Sequence, residues 1–295
     1  MNGDKKKAWT GTTFGTGWMH IYLTMFLRYV DVRFLYVFAA VFIVPVCFFL
    51  PTSRHAYRFF RRALKQNAVR AAWSTYKNLV LFSQVVIDRF AMYAGQKFDI
   101  VLKGYEHFDR LVKQEDGFVQ LSAHVGNYEL AGYNLVSKDK LINALVFGGE
   151  KETVMNARLK MFGVSNIHMI AITPDMSHIF KVNEALAKGE IVSMPADRMI
   201  GSAKKVHVTF FGQNVNLPAG PFMVAAMRGC DLLAVNVMKS AIRQYTIFVT
   251  PIKYNGQAPR KQQILSMAQT YASELERVVS NYPYQWYNYF DFWNQ

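Results

Sequence analysis

Cysteine is nearly absent from this chain of 295 residues, and the two that occur, Cys47 and Cys230, lie far apart. They support neither a disulfide framework nor a Cys-x-x-Cys metal site, so we expect a main domain in the reducing cytosol. The sequence also lacks an internal repeat of 20–50 residues and any low-complexity segment. Because α/β folds often reach this length as one unit, we expect one main domain with an N-terminal appendage.

Acidic residues are also scarce. The chain has 20 Asp and Glu but 34 Lys and Arg, which gives a net charge of +14. This charge predicts a negatively charged partner, which is a nucleic acid, an anionic membrane surface or an acidic carrier protein. The sequence contains no recognisable nucleic-acid-binding motif. Its content of 52% hydrophobic and 15% aromatic residues favours a chain that touches lipid or an apolar ligand. The contrasting hypothesis is a basic protein without enzymatic activity, which uses its charge to bind a membrane surface or a nucleic acid.

Residues 34–50 form the only long apolar run, and this run carries no charge. As a helix it would span roughly 25 Å, which is marginal for a bilayer, and Pro45 would kink it. A tilted span and a re-entrant insertion fit equally well, and a buried core helix is the third alternative. Because more basic residues follow the run than precede it, and no small-residue cleavage site follows it, we expect 1–51 to be a membrane anchor region with the bulk of the chain on the cytoplasmic side.

Periodic apolar positions predict two amphipathic helices within residues 52–96. From residue 97 onward, short apolar runs alternate with helical patterns, which predicts an α/β core over 97–295. The expected strands are 117–123, 144–147, 168–172, 190–194, 207–211, 232–237 and 245–252, and the expected helices are 127–133, 154–162, 176–188, 221–228 and 261–280. The predicted fold is thus a mixed, mostly parallel central sheet flanked by helices, with an N-terminal membrane-attached helix.

His124 lies between the first of these strands and the helix at 127–133, at a strand end where ligands gather in open α/β sheets. Residues five apart on one helix point roughly 140° apart, so His124 and Glu129 meet only if His124 precedes the helix. A carboxylate on one ring N–H fixes the tautomer, and the other ring nitrogen can then take a proton from a hydroxyl or an amine. The spacing alone is weak, because a histidine at a strand end is more often structural.

The segment Leu-Ser-Ala-His124-Val-Gly-Asn-Tyr-Glu129 resembles the His-x4-Asp/Glu block of the lysophospholipid acyltransferase superfamily. The form is that of the late acyltransferases of lipid A biosynthesis, the lauroyl and myristoyl transferases. The likeness covers most of the chain and includes the apolar N-terminal run, Asn-Ala-Arg158-Leu, Met-Pro-Ala-Asp197-Arg198, Leu-Pro218-Ala-Gly220-Pro221 and Pro283-Tyr-Gln-Trp286.

This resemblance implies acyl carrier protein thioesters as donors, a lipid-like acceptor, and a site on the cytoplasmic side of the bacterial inner membrane, without metal or cofactor. It implies His124 as the base and Glu129 as its orienting acid. It also marks Arg158 and Asp197 as functional, and Arg198 as a residue that meets anionic groups of donor or acceptor. From the residues alone, Arg158 equally fits a solvated helix position and Asp197 a turn.

Asn127 is expected either to cap the helix after His124 or to contact the substrate. The C-terminal segment departs from the lipid A enzymes, because aromatic residues replace the usual Arg/Lys-bearing end. In this it looks more like related acyltransferases associated with aryl-polyene or dialkylresorcinol pigment lipids, or with aminolipids. In two further interpretations, the aromatic residues complete the hydrophobic core or lie at the membrane interface. A thioesterase or lipid hydrolase that uses the same dyad on water is the second enzyme hypothesis.

Overall fold

The computed structural model describes residues 17–135, 137, 139–147, 166–173, 177–199 and 204–294. Its centre is a seven-stranded sheet with the strand order β1-β9-β8-β2-β5-β3-β4, beside a separate β6-β7 hairpin. The strands are β1 Asp99–Lys103, β2 Phe118–Ser122, β3 Ile142–Phe147, β4 Ile167–Ile172, β5 Ile191–Pro195, β6 Lys205–Phe210, β7 Gln213–Pro218, β8 Leu232–Ala241 and β9 Gln244–Pro251.

Five neighbouring strands, β8, β2, β5, β3 and β4, run parallel to one another, whereas β9 is antiparallel to β8. The predicted mixed α/β class with a mostly parallel sheet is therefore confirmed. The helices are α1 Gly17–Phe26, α2 Val32–Phe38, α3 Val44–Phe48, α4 Ser53–Arg62, α5 Ala68–Tyr93, α6 Tyr105–Val112, α7 Glu129–Asn134, α8 His178–Ala187, α9 Gly220–Arg228 and α10 Arg260–Asn281. The central strands read as apolar runs because both of their faces are covered.

All seven predicted strands occur, with ends shifted by a few residues, but two further strands were not predicted. β1 lies at the sheet edge and is mostly exposed, and its three apolar residues, Ile100, Val101 and Leu102, form a run too short to indicate a buried strand. β7 alternates polar residues with Val215 and Leu217 and pairs with β6 through a tight turn at Gly212, whose φ is +70°. The predicted helix at 154–162 lies outside the described residues.

The two amphipathic helices predicted within 52–96 are confirmed as α4 and α5. The uncharged run before them forms α2, a π-helical turn at Ala39–Ile43, and α3, with Pro45 in the first turn of α3 where its missing N–H is tolerated. Within the described ranges, no single helix has the length and apolar character needed to cross a bilayer. One pair of helical stretches, Val32–Phe48 and Ser53–Arg62, meets both conditions together, but the two are bent by 84°.

A buried ion pair fastens these N-terminal helices to the sheet. Lys239 Nζ on β8 lies 2.5 Å from Asp88 Oδ2 on α5, and both side chains are almost completely buried. Tyr36 from α2 and Tyr245 from β9 also donate hydrogen bonds to the Asp88 carboxylate. The remaining two protons of the lysine are used as well, since its Nζ donates to the Ile242 carbonyl at 2.8 Å and to the Tyr36 hydroxyl at 3.1 Å. Every member is therefore compensated, as a buried charge requires.

Candidate active site

Two neighbouring parallel strands bring His124 and Asp197 together. Ser122 at the end of β2 is in register with Pro195 at the end of β5, and the Ala196 N–H donates to the Ser122 carbonyl at 3.0 Å. His124 and Asp197 each follow their strand by two residues, so they lie side by side. This is the carboxyl edge of the parallel strands, where ligands bind in open α/β sheets.

Asp197 holds His124 through two hydrogen bonds. Its Oδ1 lies 2.8 Å from His124 Nδ1, and its Oδ2 accepts the His124 backbone N–H at 2.8 Å. The carboxylate is 2% exposed, whereas the histidine side chain is 24% exposed. With the ring proton placed on Nδ1 to donate to this carboxylate, Nε2 is an acceptor. The pair thus has the arrangement of a base and its orienting acid.

Glu129 does not make the predicted hydrogen bond to His124, and this prediction was wrong. Its Oε2 accepts the Tyr93 hydroxyl at 2.7 Å, and its Oε1 lies 3.3 Å from Arg89 Nη1. The reason is local, because Glu129 is the first residue of α7 and its side chain turns toward α5. Asp197 follows the strand next to β2 and reaches Nδ1 instead.

The Glu129 carboxylate therefore supports a cation and an aromatic ring beside the histidine. The Arg89 guanidinium lies 4.8 Å from the centre of the Tyr128 ring, and that ring meets the His124 ring edge-on at 5.5 Å. Arg89 and Tyr93 were not among the predicted site residues. They belong to a long helix more than thirty residues upstream, and no sequence spacing relates them to the histidine.

Asn127 does not cap α7 with its side chain, contrary to one of its two predicted roles. The residue at the helix N-terminus is Tyr128, which has no side-chain cap, and Asn127 is fully buried. Its backbone N–H donates to the Val237 carbonyl at 2.8 Å, and its Nδ2 has no hydrogen-bond partner among the described residues. Contact of Asn127 with a substrate stays a prediction.

The loop that carries the histidine is fixed to β8 and to the C-terminal segment. Gly126 donates its N–H to the Gln285 carbonyl at 2.8 Å. The Gln285 side chain bonds both the N–H and the carbonyl of Lys239, at 2.8 Å each. Gly126 has φ +51°, and a Cβ there would overlap the Val237 carbonyl. Only glycine fits this close approach of two backbones.

The electrostatic surroundings leave the histidine neutral and the aspartate charged. Burial lowers the pKa of His124, and the opposing effect of Asp197 does not restore it to the ordinary value of 6.5. The positive charges of Arg198 and Arg89 lower this pKa further. Burial raises the pKa of Asp197, but His124 and Arg198 together hold it below its ordinary value. At neutral pH the ring is therefore ready to accept a proton.

Arg198 lies beside the pair and binds the C-terminal segment. Its Nη2 donates to the Tyr287 carbonyl at 3.0 Å, and its guanidinium lies 5.0 Å from the centre of the Phe290 ring. Trp286 in this segment is buried against the rings of Phe59 and Phe210, so the interpretation that the terminal aromatic residues finish the core is confirmed. Arg158 lies outside the described residues, and a role for it stays a prediction.

A buried acid that orients a partly exposed histidine at the carboxyl edge of an α/β sheet defines an enzyme site built for proton transfer. The family model of the bacterial lipid A biosynthesis acyltransferases matches residues 63–293. The chain therefore belongs to this family. The resemblance stated from the sequence is thereby confirmed.

Two further similarities are more distant. The chain is 24% identical over 140 residues to the phosphatidylinositol mannoside acyltransferase of Mycobacterium tuberculosis. The match covers 47% of this chain and 44% of that relative, which is less than half of either. Among solved structures, it is similar to the 1-acyl-sn-glycerophosphate acyltransferase from Thermotoga maritima, with 14% identity and a TM-score of 0.40, over 91% of this chain and 98% of that one.

Proposed function

We propose that the protein transfers a fatty acyl chain from an acyl carrier protein thioester to a hydroxyl or amine of a lipid-like acceptor. The observation that supports this most directly is the hydrogen-bonded pair of His124 and Asp197. It offers a neutral imidazole nitrogen at the carboxyl edge of the sheet, beside two cations. Direct transfer suits this chain, because Cys230 is buried and burial raises its pKa to about 11, which removes it as a nucleophile.

In the proposed reaction, Nε2 of His124 takes the proton of the acceptor as its oxygen or nitrogen attacks the thioester carbonyl. Asp197 stabilises the imidazolium that forms. The carbon–sulfur bond then breaks, and the leaving thiolate takes the proton from the imidazolium and departs as a thiol. Arg89 and Arg198 both affect the pKa of His124, so their positive charge reaches the site and favours negative charge developing on the carbonyl oxygen.

The replacement His124→Ala tests this function. Purified protein should lose acyl transfer by roughly 10²–10⁴-fold, because the acceptor is no longer deprotonated during attack. The variant should still fold, because the Asp197 carboxylate loses the ring hydrogen bond but keeps the backbone N–H at position 124. Transfer at near wild-type rates by a folded His124→Ala protein would contradict the proposal. A product found only as free fatty acid, with and without lipid acceptor, would favour the thioesterase or hydrolase alternative.

The acyl carrier protein is proposed as donor because an acidic carrier would be attracted to a chain of charge +14. Activity with this donor should fall as salt screens the attraction. The matched control is the same acyl group on coenzyme A. Equal or better use of the coenzyme A thioester at all ionic strengths would contradict the choice of donor.

Attachment to the cytoplasmic face of the bacterial inner membrane is proposed from the outer surface of the N-terminal helices. One face of these helices packs on α5 through Val32, Tyr36 and Ala39. The opposite face exposes large apolar side chains, namely Trp18, Tyr22, Phe34, Val37, Phe42 and Phe49. Large exposed apolar side chains in such number mark an interaction site in a folded protein. The bend of 84° between the two helical stretches fits a re-entrant insertion better than a straight span.

The acceptor is proposed to be a lipid A precursor, as in the family, with a pigment lipid or an aminolipid as the alternative. The alternative rests on the C-terminal segment from Trp286 to Trp293, in which aromatic residues predominate. Lipid mass spectrometry of cells with and without the gene distinguishes the two. Loss of one acyl chain from lipid A supports the first, and unchanged lipid A with a changed pigment lipid or aminolipid supports the second.

A further inference from the structure

A cavity lies between α5 and the π-helical turn that follows α2, and neither His124 nor Asp197 lines it. Its volume is about 410 Å³. The lining residues are mostly apolar or aromatic: Ala40, Trp73, Tyr76, Lys77, Val80, Leu81 and Tyr284. None of them is acidic. We call this cavity the α5 groove.

The walls of the α5 groove are held in place by specific contacts. The Tyr76 hydroxyl donates to the Ala40 carbonyl at 2.7 Å, which ties α5 to the π-helical turn. The Trp73 ring stacks on the Tyr76 ring with 5.6 Å between centres and an angle of 7° between planes. Tyr284 on the opposite side is fixed through its carbonyl, which accepts from Asn78 Nδ2 at 3.0 Å. The groove is therefore a preformed concave surface, as small-molecule sites usually are.

Lys77 places a positive charge at this apolar surface. Its Nζ lies 5.6 Å from the centre of the Trp73 ring and 5.3 Å from that of Tyr284, so two aromatic faces hold the ammonium group. Within the described part of the chain, no carboxylate lies within 4.0 Å of this ammonium group. Arg70 is exposed two turns earlier on the same side of α5. A cation without an acidic partner beside an apolar groove is complementary to an anionic amphiphile.

The groove also borders the exposed apolar side of the N-terminal helices. Val37 and Val41 are neighbours of Ala40 on the helix surface, and they are 65% and 55% exposed. Trp73, at the other wall, is 57% exposed. A ligand in the groove would therefore meet the same apolar surface that we assign to the membrane. Contact of such a ligand with the membrane rests on the proposed membrane attachment.

We propose that the α5 groove binds one anionic phospholipid of the surrounding membrane. One acyl chain lies along Val80 and Leu81, and the phosphate of the headgroup meets Lys77. The volume falls within the range of roughly 300–1,000 Å³ of small-molecule sites. The bound lipid is a fixed membrane contact, distinct from the acyl donor and acceptor at His124.

Native mass spectrometry of the full-length protein in detergent tests this site, with phosphatidylglycerol or phosphatidylcholine of identical chains titrated as the probe. Wild-type protein should retain one phosphatidylglycerol more tightly than phosphatidylcholine. Lys77→Gln should weaken phosphatidylglycerol binding about five-fold, as expected for one charge, and leave phosphatidylcholine binding unchanged. Val80→Trp should remove the tightly bound lipid by filling the groove. Lys261→Gln, an exposed lysine on α10, is the matched control and should bind as wild type.

Unchanged phosphatidylglycerol binding in both Lys77→Gln and Val80→Trp would overturn the proposal. An equal loss in Lys261→Gln would overturn it too, since general charge would then explain the binding. The count of bound lipids does not depend on catalysis, so His124→Ala should retain the lipid even if acyl transfer is not the function. Sedimentation with vesicles is a separate measurement, and its failure would contradict membrane attachment rather than the groove.

Discussion

The Asp197 carboxylate reaches the histidine from a different strand, and this changes which acid should matter for the base. Asp197→Asn should reduce turnover by roughly 10²–10⁴-fold, because an amide favours the wrong ring tautomer and no longer stabilises the imidazolium. Combined with His124→Ala, it should add almost nothing to the single loss, because the two residues act as a unit. The measurement is single-turnover acyl transfer by folded single and double variants. Additive losses would show two independent contributions.

Glu129→Gln is a useful comparison, because Glu129 contacts Arg89 and Tyr93 instead of the His124 ring. This variant should also lose activity, since it releases the cation beside the ring. Arg89→Gln should reproduce the loss of activity of Glu129→Gln, and the double variant should lose no more activity than either single variant. Asp197→Asn should not share this relation with Arg89→Gln. If Glu129→Gln instead behaved as Asp197→Asn does in the cycle with His124→Ala, the structural assignment of the acid would be wrong.

The pH dependence follows from the lowered pKa of His124. The base is active only when neutral, so activity should rise with pH, with its midpoint below 6.5, and be flat through neutral pH. Asp197 raises this pKa, so Asp197→Asn should move the midpoint to still lower pH. The titration of the His124 ring is measured by NMR in both proteins. A midpoint above 6.5 in the wild type, or an upward shift in the variant, would contradict the electrostatic description.

The sequence identified His124 and Asp197 as candidate site residues, but it paired His124 with Glu129 instead of Asp197. His124 could be recognised because a strand, a turn and a helix leave a readable pattern around it. Asp197 could be recognised as the residue after a strand, but the order of strands in the sheet decides its neighbour. That order places β5 beside β2 although 68 residues of chain lie between Ser122 and Ile191, and no local pattern reveals this pairing.

The turn that carries the histidine depends on close backbone contact between two elements. Gly126→Ala combines a positive φ with overlap of the new Cβ and the Val237 carbonyl, so the loop must leave β8. We expect a loss of more than about 2 kcal/mol in the free energy of unfolding, together with a large loss of activity. Gly212→Ala is the matched control, because it has φ +70° but open space around the new Cβ. Urea unfolding should show a smaller loss there, about 1–2 kcal/mol, and full activity.

The ion pair between α5 and β8 should dominate the stability of their contact. Lys239→Met leaves the Asp88 carboxylate buried without its cation, and we expect a loss of about 3–5 kcal/mol in the free energy of unfolding. The control Lys188→Met removes an exposed lysine that pairs with Glu184 along one helix, and it should leave unfolding unchanged. Equal unfolding curves for wild type and Lys239→Met would show that the carboxylate is protonated or hydrated without measurable loss.

Most elements could be predicted because apolar periodicity marks whichever side is buried. β1 could not, since an exposed edge strand has no buried side to mark. The helix through residues 34–50 was expected as one kinked unit, and the π-helical turn before Pro45 divides it instead. A π-helical turn depends on partners elsewhere, here the Tyr76 hydroxyl on the Ala40 carbonyl, and so leaves no local sequence signal.

For the whole molecule, the exposed apolar surface of the N-terminal helices predicts how it distributes between water and lipid. Deleting residues 1–51 would also uncover the buried face of α5, so substitutions on the outer face are cleaner. Replacing Phe34, Phe42 and Phe49 together with Ser should lower partition onto anionic vesicles by at least about 100-fold, because each side chain is 64–82% exposed in the folded chain. Phe180→Ser, on α8 and 79% exposed, is the control. Unchanged sedimentation of the triple variant with vesicles would contradict this mode of attachment.

The C-terminal segment completes the histidine loop only after most of the chain has been synthesised. The Tyr287 N–H donates to the His124 carbonyl at 3.2 Å, and Gln285 holds Gly126, so the histidine loop is completed by residues that follow the last strand and α10. When the ribosome has made the nine strands of the described residues, the residues that form these contacts have not yet been synthesised, and a nascent chain folds from its N-terminal part onward. Under the proposed membrane attachment, the N-terminal helices would meet the lipid surface throughout that time. If the proposed attachment holds, the chain would therefore reach the lipid surface before its histidine loop is complete.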